Sequence, residues 1–199
     1  MRLVNYSFIF IFLFFTPSLS ENPSGFLTWK ENFKKVALSN NISEKTFDTV
    51  MTDVRFLPMV IKYDRYQPEF YEDTITYISK RTSNKKLKVG SNIYRNNISK
   101  INLISSSYDV DKDLLLSLMG IETNFGNYLG KMDIVSSLAT LSYDKRRSKF
   151  FTSELITLLK LVDNKVVDPE TLFGSWAGAF GNFQFMPSTI ENYAIDYDD

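Results

Sequence analysis

Cysteine and histidine are both absent from the 199 residues. Their absence excludes Ser-His-Asp and Cys-His nucleophilic catalysis, thiolate chemistry, disulfides and the usual zinc sites. Any proton transfer falls to Asp, Glu, Lys or Tyr. An excess of charge of either sign is also missing, because 23 cations meet 23 anions. The whole chain therefore lacks the electrostatic footprint of a nucleic-acid groove or a basic membrane face. There is no convincing period-2 strand and no internal repeat. What remains is a globular composition, 44% hydrophobic and 15% aromatic, on a length that suits one sizeable domain or two small ones.

The long apolar run lies at the start. In MRLVNYSFIFIFLFFTPSLS, one early cation, Arg2, precedes a run from Phe8 to Phe15, and small residues stand at Ser18 and Ser20. The pattern is that of a secretory signal over residues 1–20, cleaved after Ser20. The run is shorter than the about 20 residues a helical span needs. A lipid anchor at the cut would require a cysteine. The expectation is an exported, periplasmic protein that is not a lipoprotein.

The remainder reads as helices joined by short loops, a mainly α fold. A first helix is expected over 26–38 and a second after Ser43, a good N-cap with Ile42 and Phe47 spaced as a staple. Residues 55–70 read as an irregular connection. A helix is expected from Pro68 to Arg81, then a longer one over 85–107 with Leu87, Tyr94, Ile98 and Ile101 facing inward. Asp111 and Asp113 open the next helix, where the macrodipole favours negative charge, and Gly126 is placed to end it. Helices over 134–143 and 148–162 follow, then a short turn at Asp168-Pro169 and a last helix near Pro187.

Glu122 stands out. It follows Leu114, Leu115, Leu118 and Ile121 on its helix, near the C-terminal end. Partial burial and the dipole together would raise its pKa and suit it to donate a proton. On its helix alone, a solvent-facing structural glutamate is the plainer reading. The stretch GSWAGAFGNFQFMPST at 174–189 is the second unusual feature. Its glycines permit close backbone approach, and Gln184 sits inside an apolar run where a polar side chain needs a partner.

Taken together, GIETNFG at 120–126, LATLSYDKRRSKFF at 138–151, GSWAGAFGNFQFMPST at 174–189 and DRYQPEF at 64–70 resemble the lytic murein transglycosylase B family, in its order and approximate spacing. The resemblance implies a lysozyme-like helical core over 108–199, preceded by a small helical region over 21–107. It implies cleavage of the bond between N-acetylmuramic acid and N-acetylglucosamine in peptidoglycan, without water, leaving 1,6-anhydromuramic ends. Glu122 matches the family's single acid/base. Ser175 matches a serine that can hold its carboxyl, and Gln184 a glutamine lining a sugar subsite. Tyr143 can stack on or hydrogen-bond a sugar, although a tyrosine at a helix end is at least as often core packing. Arg146 and Arg147 match a basic pair that can meet peptide-stem carboxylates, or else a solvated pair. The usual two-carboxylate scheme needs a second acid. Asp133, Asp144 and Glu154 are nearest in sequence, and none matches a catalytic position.

Asp196 and Asp198 match the first two ligands of an EF-hand-like calcium loop, whose remainder does not follow. The core is therefore expected to be C-terminally incomplete, with calcium a structural ligand of a longer form only and no cofactor needed for chemistry. The expected partners are peptidoglycan strands, with other cell-wall enzymes as a second class. A hydrolytic muramidase of the same fold, or a truncated inactive peptidoglycan-binding protein, are the other readings.

Overall fold

The computed structural model of the chain describes residues 23–67, 72–195 and 197. The signal segment 1–20, the end of the 64–70 motif, Asp196 and Asp198 lie outside the described residues. Among the described residues the architecture is helical, with one two-stranded ribbon.

Helices α1 (Ser24–Ser39) and α2 (Glu44–Met51) form where the sequence places them. The Ser43 hydroxyl accepts from the Thr46 amide at 3.2 Å. Ile42 and Phe47 are buried on either side of that cap, as a hydrophobic staple requires. The segment expected to be irregular holds a helix, α3 (Pro58–Arg65). Pro58 opens it at the first turn, where a missing N–H costs nothing, and Val60 is fully buried.

Helix α4 (Thr74–Arg81) is capped by Asp73, whose carboxylate accepts from the Thr76 amide at 3.0 Å; Pro68, where the sequence placed a helix start, lies outside the described residues. The long helix expected over 85–107 is two, α5 (Asn84–Asn96) and α6 (Ile98–Tyr108). At the break, the Asn97 side chain donates to the Ile93 carbonyl at 2.9 Å, the local competition by which asparagine ends helices. Of the residues expected to face inward, Ile101 is buried, whereas Leu87 and Ile98 are exposed. Helix α7 (Lys112–Thr123) is capped by Asp111, which accepts from the amides of Asp113 and Leu114. It ends at Asn124, in the left-handed conformation at φ 51°, and not at Gly126. A short polar side chain tolerates that conformation.

Helices α8 (Ile134–Tyr143), α9 (Ser148–Asp163) and α10 (Pro187–Tyr193) follow. Helix α8 is the axis of the fold, buried at every residue from Ile134 to Ser142. Its hydroxyls explain how a helix so rich in serine and threonine can sit there. Ser136 accepts from the Arg55 amide at 3.0 Å and Thr140 from the Leu57 amide at 2.9 Å. These two buried hydroxyls are thereby paired, whereas that of Ser142 is buried without a partner among the described residues, and the strand of chain leading into α3 is docked.

One buried cluster unites Phe26, Phe33, Phe47 and Val60 of α1–α3 with Leu138, Phe151, Leu155 and Leu158 of α8 and α9. The core therefore draws on both sides of the 107/108 boundary. Helices α5, α6 and α7 pack on one another as a second layer. The face Leu114, Leu118 and Ile121 of α7 is exposed at 55%, 43% and 44%.

Candidate active site

Glu122 occupies the last turn of α7 and is exposed. The partial burial expected from its apolar neighbours is not present, because those neighbours are themselves exposed. Its carboxylate takes no hydrogen bond from a described residue. The turn that follows is unusual: Asn124, Phe125 and Gly126 all have positive φ, at 51°, 59° and 79°. A left-handed aromatic residue costs of order 1–3 kcal/mol, and such positions gather at functional sites. Phe125 is held there by its ring, which fills the space where a Cβ on Gly90 or Gly120 would stand, at 3.0 and 2.7 Å.

The glycine-rich stretch packs against this same turn. Thr123, buried next to Glu122, donates its hydroxyl to the Asn182 carbonyl at 2.8 Å and accepts from the Gly126 amide at 2.9 Å. Gln184 donates through Nε2 to the Leu129 carbonyl at 3.1 Å and to the Gly181 carbonyl at 3.0 Å. Its backbone is left-handed, φ 48°, and its Oε1 takes no bond from a described residue. Strand β1 (Met132–Asp133) pairs antiparallel with β2 (Phe173–Gly174). A Cβ on Gly130 would overlap the Gly174 backbone. Glycine at 130 lets the two segments close, and glycine at 174 makes room for the Ala179 carbonyl. Ser175 lies beside this contact. It exchanges backbone hydrogen bonds with Ala179 and Gly178, and its hydroxyl accepts from the Ala179 amide at 3.0 Å.

The acids near Glu122 in sequence are committed to structure. Asp133 caps α8, accepting from the amides of Val135 and Ser136 and from the Ser136 hydroxyl at 2.6 Å. Glu154 is buried in α9 and accepts from the Ser188 amide at 2.9 Å and its hydroxyl at 2.6 Å, capping α10. Asp144 takes both oxygens to Arg65, at 2.9 and 2.8 Å. Burial pushes the Asp144 carboxyl up, but the Arg65 fork and the Arg146 amide outweigh it and hold it below the ordinary range.

Tyr143, Arg146 and Arg147 belong to a second cluster. The Tyr143 ring packs edge-on to Phe26 and Phe56, with centroids at 5.5 and 5.8 Å. Arg146 and Arg147 converge with Arg65 on the carboxylate of Asp64, at 3.0, 3.2 and 2.7 Å. The Asp64 side chain is 1% exposed. Arg147 also stands over the Phe151 ring at 4.8 Å. Two separated motifs, 64–70 and 138–151, thus meet at one buried charge. Asp64 is the residue sequence reasoning missed, and its signal is the Asp-Arg pair that opens the first motif. The link to the glycine-rich stretch is the Tyr63–Trp176 ring contact at 6.4 Å. Among the described residues, no group of three or more acidic, histidine or cysteine side chains could hold a metal ion.

The chain matches the Transglycosylase SLT domain over residues 25–199. It is similar to membrane-bound lytic murein transglycosylase B of Escherichia coli (strain K12), 42% identical over 91 residues that cover 45% of this chain and 25% of that protein. In three dimensions it is similar to SltB3 from Pseudomonas aeruginosa in complex with NAG-NAM-pentapeptide. The TM-score is 0.84 and the identity 33%, covering 87% of this chain and 46% of that one. It is also similar to the Escherichia coli lytic transglycosylase Slt35 in complex with calcium, with TM-score 0.73, 28% identity, and 84% and 54% covered. The chain spans a quarter of the curated relative and about half of each solved structure. Its mainly helical architecture is the lysozyme-like one of those transglycosylases, as the motifs implied.

Proposed function

The chain belongs to the transglycosylase SLT domain family, and from that premise we propose that it cleaves the N-acetylmuramic acid–N-acetylglucosamine bond of peptidoglycan by lytic transglycosylation, with Glu122 as acid and base. The observation that carries the reading is the inventory of carboxylates. Glu122 is exposed, takes no hydrogen bond from a described residue, and stands beside a strained turn pinned to the glycine-rich stretch. Asp133, Asp144 and Glu154 are consumed by caps and an ion pair. A one-acid mechanism needs one free carboxyl, and a two-acid glycosidase needs a pair.

Protonated Glu122 gives its proton to the glycosidic oxygen as the bond to muramic C1 breaks. The muramic C6 hydroxyl then attacks C1, and the Glu122 carboxylate takes the hydroxyl proton. The acid is restored and no water is consumed. The substrate's own N-acetyl group stabilises the charge at C1. Gln184 Oε1 accepts from the bound sugar, while its Nε2 stays on Leu129. Ser175 supports the turn beside it. Arg146 and Arg147 address stem carboxylates with whatever charge Asp64 leaves over. The Tyr143 hydroxyl reaches sugar only from the rim of the aromatic core. Export through the 1–20 signal places the enzyme with its substrate in the periplasm. A calcium loop beginning at Asp196 and Asp198 would be structural, and no step runs through it.

The test is digestion of purified sacculi followed by mass spectrometry. Products lighter than reducing-end muropeptides by one water support the reading. Reducing ends would make the protein a muramidase, and absence of products would leave a binding protein. Glu122→Gln is expected to lower the rate by about 10²- to 10⁴-fold, the usual worth of general acid catalysis. A rate within twofold of the parent would remove Glu122 from the mechanism.

A further inference from the structure

Two positions carry a local cost that the mechanism leaves unexplained. Gly90 lies inside α5, where glycine is a poorer helix residue than alanine. Phe125 follows the end of α7 at φ 59°, a conformation that glycine adopts freely and an aromatic residue rarely does. The two meet. The Cζ edge of the Phe125 ring would stand 3.0 Å from a Cβ on Gly90 and 2.7 Å from one on Gly120. Carbon atoms pack best at about 3.5–4.0 Å. The ring therefore reaches its seat only because α5 and α7 each present a glycine there.

The seat lies on the back of the acid's helix. Gly120 and Glu122 are two residues apart, about 200° around α7, so a ring packed at Gly120 leaves the Glu122 face open. Lys86 stands one turn before Gly90 on the same side of α5. It donates to the Gly120 carbonyl at 3.0 Å, a cation at a helix C-terminus, where the macrodipole favours it. The Phe125 amide donates to the Met119 carbonyl at 3.1 Å, and the turn closed by that bond contains Glu122. Helix α5 thus grips the last turn of α7 twice, at a carbonyl and at a ring. This grip is separate from the one through Thr123, which runs to Asn182 in the glycine-rich stretch.

On the reading of Glu122 as acid and base, we propose that Phe125 is its positioning residue, keyed into a socket made by Gly90 and Gly120. A glycine at 125 would close the same turn without strain. A left-handed aromatic stands there instead, and α5 is left with a gap that receives it. Local rules broken together at one contact mark a place where function needs them broken. What the contact fixes is the distance of the Glu122 turn from α5, and so the point from which the carboxyl reaches the glycosidic oxygen. Proton transfer is sensitive to that point, since about 1 Å of displacement can cost up to 10²-fold in rate.

The experiment uses the full chain and three variants: Gly90→Ala, Phe125→Leu and the two combined. Gly90→Ala adds one methyl to a helix remote in sequence from the acid and raises the intrinsic helix propensity of α5. It is expected to lower kcat on sacculi about three- to tenfold, with KM within about twofold. Phe125→Leu empties the socket and is expected to lower kcat about tenfold. In the double variant the methyl takes part of the room the ring leaves, and kcat is expected to return to within about threefold of the parent, a coupling that only neighbours show. Backbone amide NMR signals of residues 122–126 should shift in each single variant and move back in the double. A purely structural role would lower the melting midpoint and leave the turnover of folded enzyme unchanged. Unchanged kcat in both single variants, or a double variant no better than the worse single, would overturn the proposal. If the parent releases no glycan product, the peptidoglycan reading fails, and the amide signals still decide this one: signals unmoved in Gly90→Ala would overturn it.

Discussion

Replacing Thr123 by valine removes one hydroxyl and keeps the branched shape. That hydroxyl lies in a residue 1% exposed and does two jobs at once. It donates to the Asn182 carbonyl at 2.8 Å, with the Met119 carbonyl second at 3.1 Å, and it accepts from the Gly126 amide at 2.9 Å. Valine orphans both sides. An unpaired polar group shut away from water costs about 1–3 kcal/mol. Asn182 is exposed and recovers a water, whereas the Gly126 amide is only half accessible. The expected loss is about 1.5–2.5 kcal/mol, scaled from that range. At roughly 2–4 °C per kcal/mol for a chain of this size, the melting midpoint falls by about 3–10 °C. The bond to Asn182 also ties the Glu122 turn to the segment that holds Gln184. Its loss lets Glu122 and Gln184, the acid and the sugar contact proposed above, drift apart, and a displacement of about 1 Å can cost up to 10²-fold in rate. We expect kcat on sacculi to fall about tenfold with KM nearly unchanged. Thr123→Ser, which keeps the hydroxyl, should retain kcat. Circular dichroism melts and release of soluble fragments are the measurements. A valine variant that melts within 1 °C of the parent and turns over within a factor of two would refute the reasoning.

Further outcomes follow from the same geometry. Asp64→Asn leaves three guanidinium groups crowded around a neutral amide. The penalty for breaking a buried pair is about 3–5 kcal/mol, and the arginines are 40–49% exposed, so urea unfolding should show a loss of about 2–3 kcal/mol. The Asp163 carboxyl is held below its ordinary value by the hydroxyls of Ser43 and Thr46 and by the Ser43 amide. Its stabilisation is present above the unfolded carboxylate value of 3.8 and is lost as pH falls through the lower folded one. The melting midpoint should hold down to about pH 5 and drop below pH 4, less steeply in Asp163→Asn. Gly178→Ala places a Cβ 2.5 Å from Leu138 at φ 94° and should cost about 2–4 kcal/mol, which soluble expression and thermal melts would register.

Much of this architecture was legible because local chemistry decides it. Ser43, Asp111 and Pro187 announce their helices, and each helix starts where its signal stands. The errors came where one signal admits two outcomes. Pro58 marks a loop or a first helical turn, and burial of Val60 selects the turn. Asn97 continues a helical pattern until its side chain reaches Ile93. The approach of the glycine-rich stretch to the Glu122 turn was legible only through the motif resemblance, since no local rule pairs residue 123 with 182. The burial of Glu122 was misjudged because an apolar face predicts a partner, and none of the described residues covers Leu114, Leu118 and Ile121. Asp64 was passed over for the opposite reason. An acid beside an arginine reads as surface, and only the fold brings Arg146 and Arg147 to it.

The shared core of α1–α3 with α8 and α9 has a kinetic consequence. Residues made first pack on one another, as Phe33 does on Phe47, but the core they share is completed only by residues about a hundred positions later; the Ser43–Asp163 bond closes a separation of 120. Closing a loop of that length costs about 4 kcal/mol in chain entropy, from (3/2)RT ln n. Helices α5–α7 pack on near neighbours, whereas α2 and α3 pack on α8 and α9 across long separations. Folding should therefore be slower than in a helical bundle of local contacts. The Glu122 turn takes its anchor from Asn182, a separation of 59, so a chain folded only through α7 would carry the proposed acid without the means to aim it.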